Sequence, residues 1–332
     1  MTATSPLDIA PTRTRQKEFR EQLGNRVMVA DGAMGTVLYS KGIFINRCFD
    51  ELNLSAPALV KEIHQEYVKA GAEILETNTF GANRLRLAAF GLVENLVAIN
   101  HAGVRLAREA AQGSAFVAGA IGPLGVRIEP LGPTSFVEAR AIFREQVEAL
   151  NDAGIDLLVL ETFYDLNELR EAIFAARAVL GPEPVIIAHV TIDDNGHMRD
   201  GTAPETYTRL LDEWPVDVIG LNCSVGPKAT LETIEQMMRY SGKPMSAMPN
   251  AGFPSVVEGR NIYLCSPEYM AQYARRFFWA GVKIVGGCCG TTAEHIKLIR
   301  SEARSLQPLQ PKTSALVRED PVAKTKALPK VP

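Results

Sequence analysis

The sequence predicts one large α/β domain, a (β/α)8 TIM barrel, and three observations lead there. Eight apolar runs of strand length recur along the 332 residues. Amphipathic helical patterns or long loops separate them. The runs are almost continuously apolar, which is how strands covered on both faces of a parallel sheet read. Eight repeats of strand and helix match the count of a closed barrel, whereas an open doubly wound sheet usually has fewer strands and a glycine-rich phosphate loop after the first.

The strands follow in order. "VMVADG" (27–32), "EILETNTF" (73–80), "FVAGAIG" (116–122) and "DLLVLETF" (156–163) form the first half. "VIIAHVTI" (185–192), "VIGLNCS" (218–224), "PMSAMPNA" (244–251) and "KIVGGCC" (283–289) form the second. In "SAPALVKEIHQEYVKAGA" the Ser55 hydroxyl is placed to cap a helix in which Leu59, Ile63 and Tyr67 recur every fourth residue, with Gly71 as the stop. Ser135 with Glu138 reads as a capping box, and Ser266-Pro267 opens a helix that Gly281 closes. Three helices end alike, at Ala70-Gly71, Ala153-Gly154 and Ala280-Gly281, so one helix-to-strand turn is reused. Residues 1–20 read as a loosely ordered N-terminal extension and 21–306 as the barrel. Residues 307–332, rich in Pro, Lys and Ala without an apolar period, read as a linker-like or disordered tail.

Composition removes several function classes. A formal charge of −3 and no basic run interleaved with aromatics argue against nucleic acid as a partner. No stretch approaches 18 apolar residues, and the first 19 residues have no signal-peptide core, so a membrane role is not expected and the cytoplasm is. "ADGAMGTVL" lacks G-x-G-x-x-G spacing, and neither a Ser-His-Asp order nor H-E-x-x-H is present. Five cysteines without a secretory signal argue against a disulfide framework.

In a TIM barrel, chemistry sits where the strands end at the C-terminal face. Asp31, Glu76-Thr77-Asn78, Glu161-Thr162, Asn222-Cys223, Asn250 and Cys288-Cys289 all fall at such ends. A carboxylate such as Glu161 behind "LLVL" is costly unless paired, so it is a helix cap, a structural ion-pair member or a pocket residue. Cys223, Cys288 and Cys289 lie on strands six and eight, either side of strand seven, where three thiolates can converge on one zinc ion and leave its fourth position open. The two adjacent cysteines reach one ion only if the backbone leaves strand geometry, and Gly286, Gly287 and Gly290 give it that freedom. Taken alone, an adjacent cysteine pair reads sooner as two small buried apolar residues than as metal ligands. Cys48 and Cys265 are read as non-ligands. His64, His101, His197 and His295 are read as packing or surface residues, and His189 as a satisfied core or pocket residue.

The segments "VADGAMGT", "ETNTFGAN", "GPLG", "GLNCSVGP", "MPNAG" and "GGCCGTT", in this order from residue 20 to 305, resemble the homocysteine S-methyltransferase family. That family includes the homocysteine-binding domain of cobalamin-dependent methionine synthases and the betaine–homocysteine methyltransferases. "YSKGIFINRCFDELNLS" is similar to bacterial fusions of such a barrel with a methylenetetrahydrofolate reductase. The resemblance implies zinc on Cys223, Cys288 and Cys289, with the zinc-bound thiolate of homocysteine attacking an activated methyl group to give methionine. It implies a homocysteine pocket that includes Glu161 for the amino group, Asp31, Asn78 and Asn222. It also implies a methyl donor, which is methylcobalamin or methylfolate, S-methylmethionine or betaine in different relatives, and a folate, cobalamin or reductase domain or protein as partner. The D-x-H-x-x-G cobalamin motif is absent from this sequence. Two non-catalytic readings stand beside it: a zinc-binding redox sensor built on the vicinal cysteines, and a docking module for a reductase.

Overall fold

The structure, a computed structural model, describes residues 12–257 and 260–306. All eight expected strands are present: β1 Met28–Val29, β2 Ile74–Glu76, β3 Phe116–Ile121, β4 Leu157–Phe163, β5 Val185–Val190, β6 Val218–Asn222 and β7 Met245–Met248, with β10 Ile284–Val285 as the eighth. Between the last two lies an antiparallel hairpin, β8 Pro254–Val257 and β9 Arg260–Tyr263. The eight strands are parallel and run β1-β10-β7-β6-β5-β4-β3-β2 around the sheet. A single parallel bridge, Ala30 to Ile74, closes the ring, supported by Glu73 N–H to Val29 O (2.7 Å) and Asp31 N–H to Ile74 O (3.0 Å).

Alternation along each strand separates two cores. Met28, Phe116, Leu157, Val159, Val185, Ile187, Val218 and Ile284 fill the barrel interior. Their neighbours Val29, Leu158, Ile186, Ile219 and Val285 face the surrounding helices. The repeated helix-to-strand turn is real: Gly71, Gly154 and Gly281 adopt φ of 99°, 86° and 106°, the left-handed region where a side chain is strained.

Three local expectations change. Ser55 does not cap the Pro57–Ala70 helix, because it closes a short preceding helix, Leu52–Ser55, and its hydroxyl bonds Glu51; Ala56 is the N-cap and Pro57 opens the helix. Ser135 makes its half of the box, accepting the Glu138 N–H at 3.2 Å. Residues 12–20 are not loose, since Thr12–Asn25 forms a helix that stoppers the N-terminal mouth of the barrel. There Arg15 reaches Asp156 (3.1 Å) and the Ala115 carbonyl (2.7 Å), while Phe19, fully buried, meets Phe116 edge to face at 5.0 Å. Residues 1–11 and the expected tail 307–332 lie outside the described residues.

The Phe19 stopper yields a stability prediction. Phe19→Ala opens the bottom of the interior core and is expected to lower unfolding stability by about 3–5 kcal/mol in denaturant titration. A loss below about 1 kcal/mol would show that this helix does not contribute to the core.

His64 yields a second, on pH. It is fully buried in the Pro57–Ala70 helix, and neither ring nitrogen has a hydrogen-bond partner among the described residues. Burial pushes its pKa down to about 4. A histidine depressed in the fold stays neutral while the unfolded chain takes up a proton near pH 6.5, so stability is unaffected above that pH and falls as pH drops from 6.5 towards 4. The full shift corresponds to about 3 kcal/mol. His64→Leu is expected to flatten that limb of the stability–pH curve, and an unchanged limb would remove His64 from the account.

Among the described residues, no helix is long and apolar enough to cross a membrane.

Candidate metal centre and active site

The C-terminal mouth of the barrel opens into a cavity of about 440 Å³. Cys223, Cys288 and Cys289 sit in its wall, each partly exposed, with their sulfurs all within 4.8 Å of one another. Cys223 Sγ and Cys289 Sγ are 3.8 Å apart. Among the described residues, these three form the sole cluster of metal-ligating side chains.

The backbone explains how neighbours on the chain share one cluster. β10 stops at Val285, and the segment after it is held by Gly286 N–H to Ala247 O, Gly287 N–H to Asp31 O and Cys288 N–H to Pro249 O (2.9–3.0 Å). The glycines do different jobs from those expected. Only Gly290 has a positive φ, 82°. Gly287 is small because a Cβ there would lie 2.5 Å from the Thr291 side chain, which packs beneath the turn. Cys223 has φ 60°, as does Ser224, and Thr162 at the end of β4 has φ 65°. Left-handed backbone at three non-glycine residues costs of order 1–2 kcal/mol each and gathers here, where it aims side chains into the mouth.

Crowding changes the thiols. Hydrogen bonds to Cys223 and Cys289, then burial, push Cys288 well above the usual thiol range. The same network, led by the bonds to Cys223 and Cys288, lowers Cys289 to about 3. One negative charge is held easily and further charge is resisted, so the set calls for a cation if all three are to ionise together. Three soft, convergent thiolates fit zinc, and they are one short of its usual four ligands.

Three carboxyls line the same cavity. Asp31, at the end of β1, is 2% exposed; its Oδ2 accepts the Glu76 N–H at 3.0 Å and its Oδ1 has no partner among the described residues. Burial raises its pKa well above the carboxylate range, with repulsion from Glu161 adding to this. Glu76, at the end of β2, is raised well above normal by burial and by repulsion from Glu161 and Asp31. Burial, then the Cys289 thiolate, raise Glu161 to about 7, against a hydrogen bond from Asn222. None of the three is drawn down by an arginine or lysine, so a cation is what the group attracts. Arg47 and Arg86 also line the cavity.

Asn222 lies beneath the wall, 2% exposed, with its amide fully engaged. Its Oδ1 accepts the Thr162 N–H at 2.7 Å, and its Nδ2 donates to Glu161 Oε2 and Thr162 Oγ1, both at 3.0 Å. Asn78 lines the cavity, but its Nδ2 donates to the Phe49 carbonyl (2.7 Å) and Asn53 Oδ1 (3.1 Å), which anchors the loop after β1. Cys48 is buried beside Asp50, and Cys265 hydrogen-bonds Ser266 O; neither joins the cluster. His189 is buried in β5, but it is not the satisfied residue expected, as neither nitrogen has a partner among the described residues. Sequence reasoning left Glu76 out of the pocket. The signal was there, since "LET" ends both β2 and β4.

The homocysteine S-methyltransferase family profile matches residues 28–303, which span the barrel from β1 into the last helix. The chain is 32% identical over 306 residues to the methionine synthase of Mycobacterium tuberculosis, covering 87% of this chain and 26% of that protein. It is 32% identical over 296 residues to the methionine synthase of Mycobacterium leprae, covering 84% and 24%. It therefore spans about a quarter of the length of both relatives. The metallated form of the homocysteine methyltransferase MmuM from Escherichia coli superposes with a TM-score of 0.72 at 26% identity, over 86% of this chain and 99% of that one. A barrel matched from its first strand into its last helix, with three thiols gathered at its mouth, places this chain in the homocysteine S-methyltransferase family.

Proposed function

We propose that this protein is a zinc-dependent methyltransferase that converts homocysteine to methionine, with Cys223, Cys288 and Cys289 as its metal ligands. The three-thiol cluster in the wall of a carboxyl-lined cavity carries the reading. Bound there, zinc would supply the Lewis acidity that keeps a substrate thiol ionised near neutral pH.

The chain's own groups do the rest. Glu161 and Asp31 receive the substrate's ammonium group, whose positive charge offsets the burial and the neighbouring negative charge that raise their pKa values. Asn222 fixes the Glu161 carboxylate from below. Arg47 and Arg86 give the cavity positive charge for a substrate carboxylate, so the whole suits an amino-acid zwitterion. In the reaction an S–CH3 bond forms as the donor's bond to that methyl breaks, the leaving group keeping the electron pair; the thiol proton has already gone to solvent. The donor reaches the sulfur over the open mouth of the barrel. Residues 21–306 form the homocysteine-binding unit, and a donor-bearing domain or protein, or a reductase, is its partner. Reduced thiols suit the cytoplasm.

The test is methionine formation from homocysteine by zinc-loaded protein, with methylcobalamin, methylfolate, S-methylmethionine and betaine supplied in turn. Methionine from at least one donor, lost on chelation and regained with zinc, is expected. Equal turnover without metal would overturn the reading. So would no turnover with any donor, accompanied by reversible oxidation of the cysteines, which would favour the redox sensor.

A further inference from the structure

Arg86 is held in the cavity wall with its outer nitrogens unused. The buried Asn83 side chain accepts the Arg86 main-chain N–H at 3.0 Å, which fixes the start of the short Arg84–Ala88 helix. Farther out, the guanidinium lies over the Phe80 ring, 5.1 Å from its centroid, and Nε donates to the Pro123 carbonyl at 2.7 Å. A Cβ on Gly125 would come 3.3 Å from Arg86 Cγ and Nε, so the glycine keeps this seat open. Asp50 and Glu168 are near enough to feel the charge. Among the described residues, Nη1 and Nη2 make no hydrogen bond or ion pair, and they remain as a parallel pair of donors. Arg47, the cavity's other arginine, is 51% exposed and engaged by Glu51 at 3.2 Å.

Ring order indicates which molecule this guanidinium serves. The three cysteines follow β6 and β10, either side of β7, and the strand four places round the eight-stranded ring from β7 is β3. Pro123, which anchors Arg86, lies two residues past the end of β3 at Ile121. Arg86 therefore stands across the mouth from the cysteines, in a barrel roughly 15 Å wide between opposite strand backbones. Four bonds separate the sulfur of homocysteine from its carboxyl carbon, a reach of about 5 Å. With that sulfur at the cysteines and its ammonium group at Asp31 and Glu161, the far side of the mouth is left to the second substrate. We propose that Arg86 binds the carboxylate of the methyl donor, so that the donor is a free, carboxylate-bearing molecule. This rests on the proposed function and narrows it. S-methylmethionine, betaine and methylfolate each carry a carboxylate, whereas methylcobalamin presents amides and a phosphodiester. A guanidinium already fixed through Nε meets a carboxylate with two parallel N–H bonds at little further cost in order.

Zinc-loaded protein with saturating homocysteine is assayed with each donor and with that donor's own carboxamide, in the wild type, Arg86→Lys and Arg86→Met. The wild type is expected to favour the carboxylate form roughly 10- to 100-fold in kcat/KM, the range of a charge-assisted hydrogen bond. Arg86→Met is expected to lose that preference through a higher donor KM, with the KM for homocysteine unmoved. Arg86→Lys keeps the charge without the fork and should fall between. The donor that shows the preference identifies its source, a small onium carboxylate or a folate. A preference kept in Arg86→Met, a rise in the homocysteine KM instead, or methylcobalamin as the donor used would overturn the inference. So would equal use of carboxylate and carboxamide by the wild type, a comparison that needs no variant to fold. Absence of turnover with every donor refutes the proposed function; calorimetric binding of each donor to zinc-loaded wild type and Arg86→Met then still decides the role of Arg86, with equal affinities counting against it.

Discussion

Replacing Cys288 by alanine is expected to strip the protein of zinc and to lower methyl transfer by more than about 100-fold. Changing a residue that merely orients a metal ligand commonly costs 10–100-fold in affinity or activity, and loss of a ligand costs more. Without the metal, a substrate thiol is only a few per cent ionised at pH 7. The fold has no reason to fail. The bonds that hold this turn run from the Cys288 main chain, to Pro249 O and from Thr291, and survive the substitution. Metal content by mass spectrometry, turnover and thermal unfolding form the readout, with Cys265→Ala as the control that keeps both metal and activity. A Cys288→Ala variant with full zinc and full turnover would remove Cys288 from the site.

Glu161→Gln is expected to raise the KM for homocysteine roughly 10- to 100-fold while leaving zinc content unchanged. The amide oxygen of glutamine can still accept from Asn222 Nδ2, so the position is kept and only the charge is lost. A charge-assisted hydrogen bond contributes about 1.5–3 kcal/mol, which sets that range. A thiol substrate lacking the amino group separates charge recognition from general damage, because its weak turnover should be the same in both proteins. Loss of zinc from Glu161→Gln, or equal damage with both thiols, would assign Glu161 to the support of the cluster instead.

How much of this was readable without coordinates follows from where each feature is encoded. Eight strands were readable because a strand covered on both faces must be apolar throughout, and the recurring glycine stop marked where each unit turned. The meeting of Cys223 with Cys288 and Cys289 was readable because barrel topology alone sets strands six and eight around strand seven. The N-terminal helix was missed because its buried face includes Arg15 and Gln16, which are satisfied by the Asp156 carboxylate and the Ala115 and Ile155 carbonyls rather than by apolar contact. Ser55 misled because its hydroxyl had a nearer partner in Glu51. The hairpin was missed because "PSVVEGRNIY" falls outside the strand–helix rhythm, although a glycine in a short break between two β-prone runs is a turn signal. The left-handed turns at Thr162, Cys223 and Ser224 have no sequence signature, since only tertiary bonds hold non-glycine residues there.

The central claim is that the three cysteines hold a metal whose task is to keep the homocysteine thiol ionised. Calorimetry of homocysteine binding in buffers of different ionisation enthalpy, with zinc-loaded and zinc-free protein, tests it most directly. Binding that requires zinc and releases about one proton per homocysteine at neutral pH is the predicted result. Equally tight binding without zinc, or zinc-dependent binding with no proton released, would contradict it.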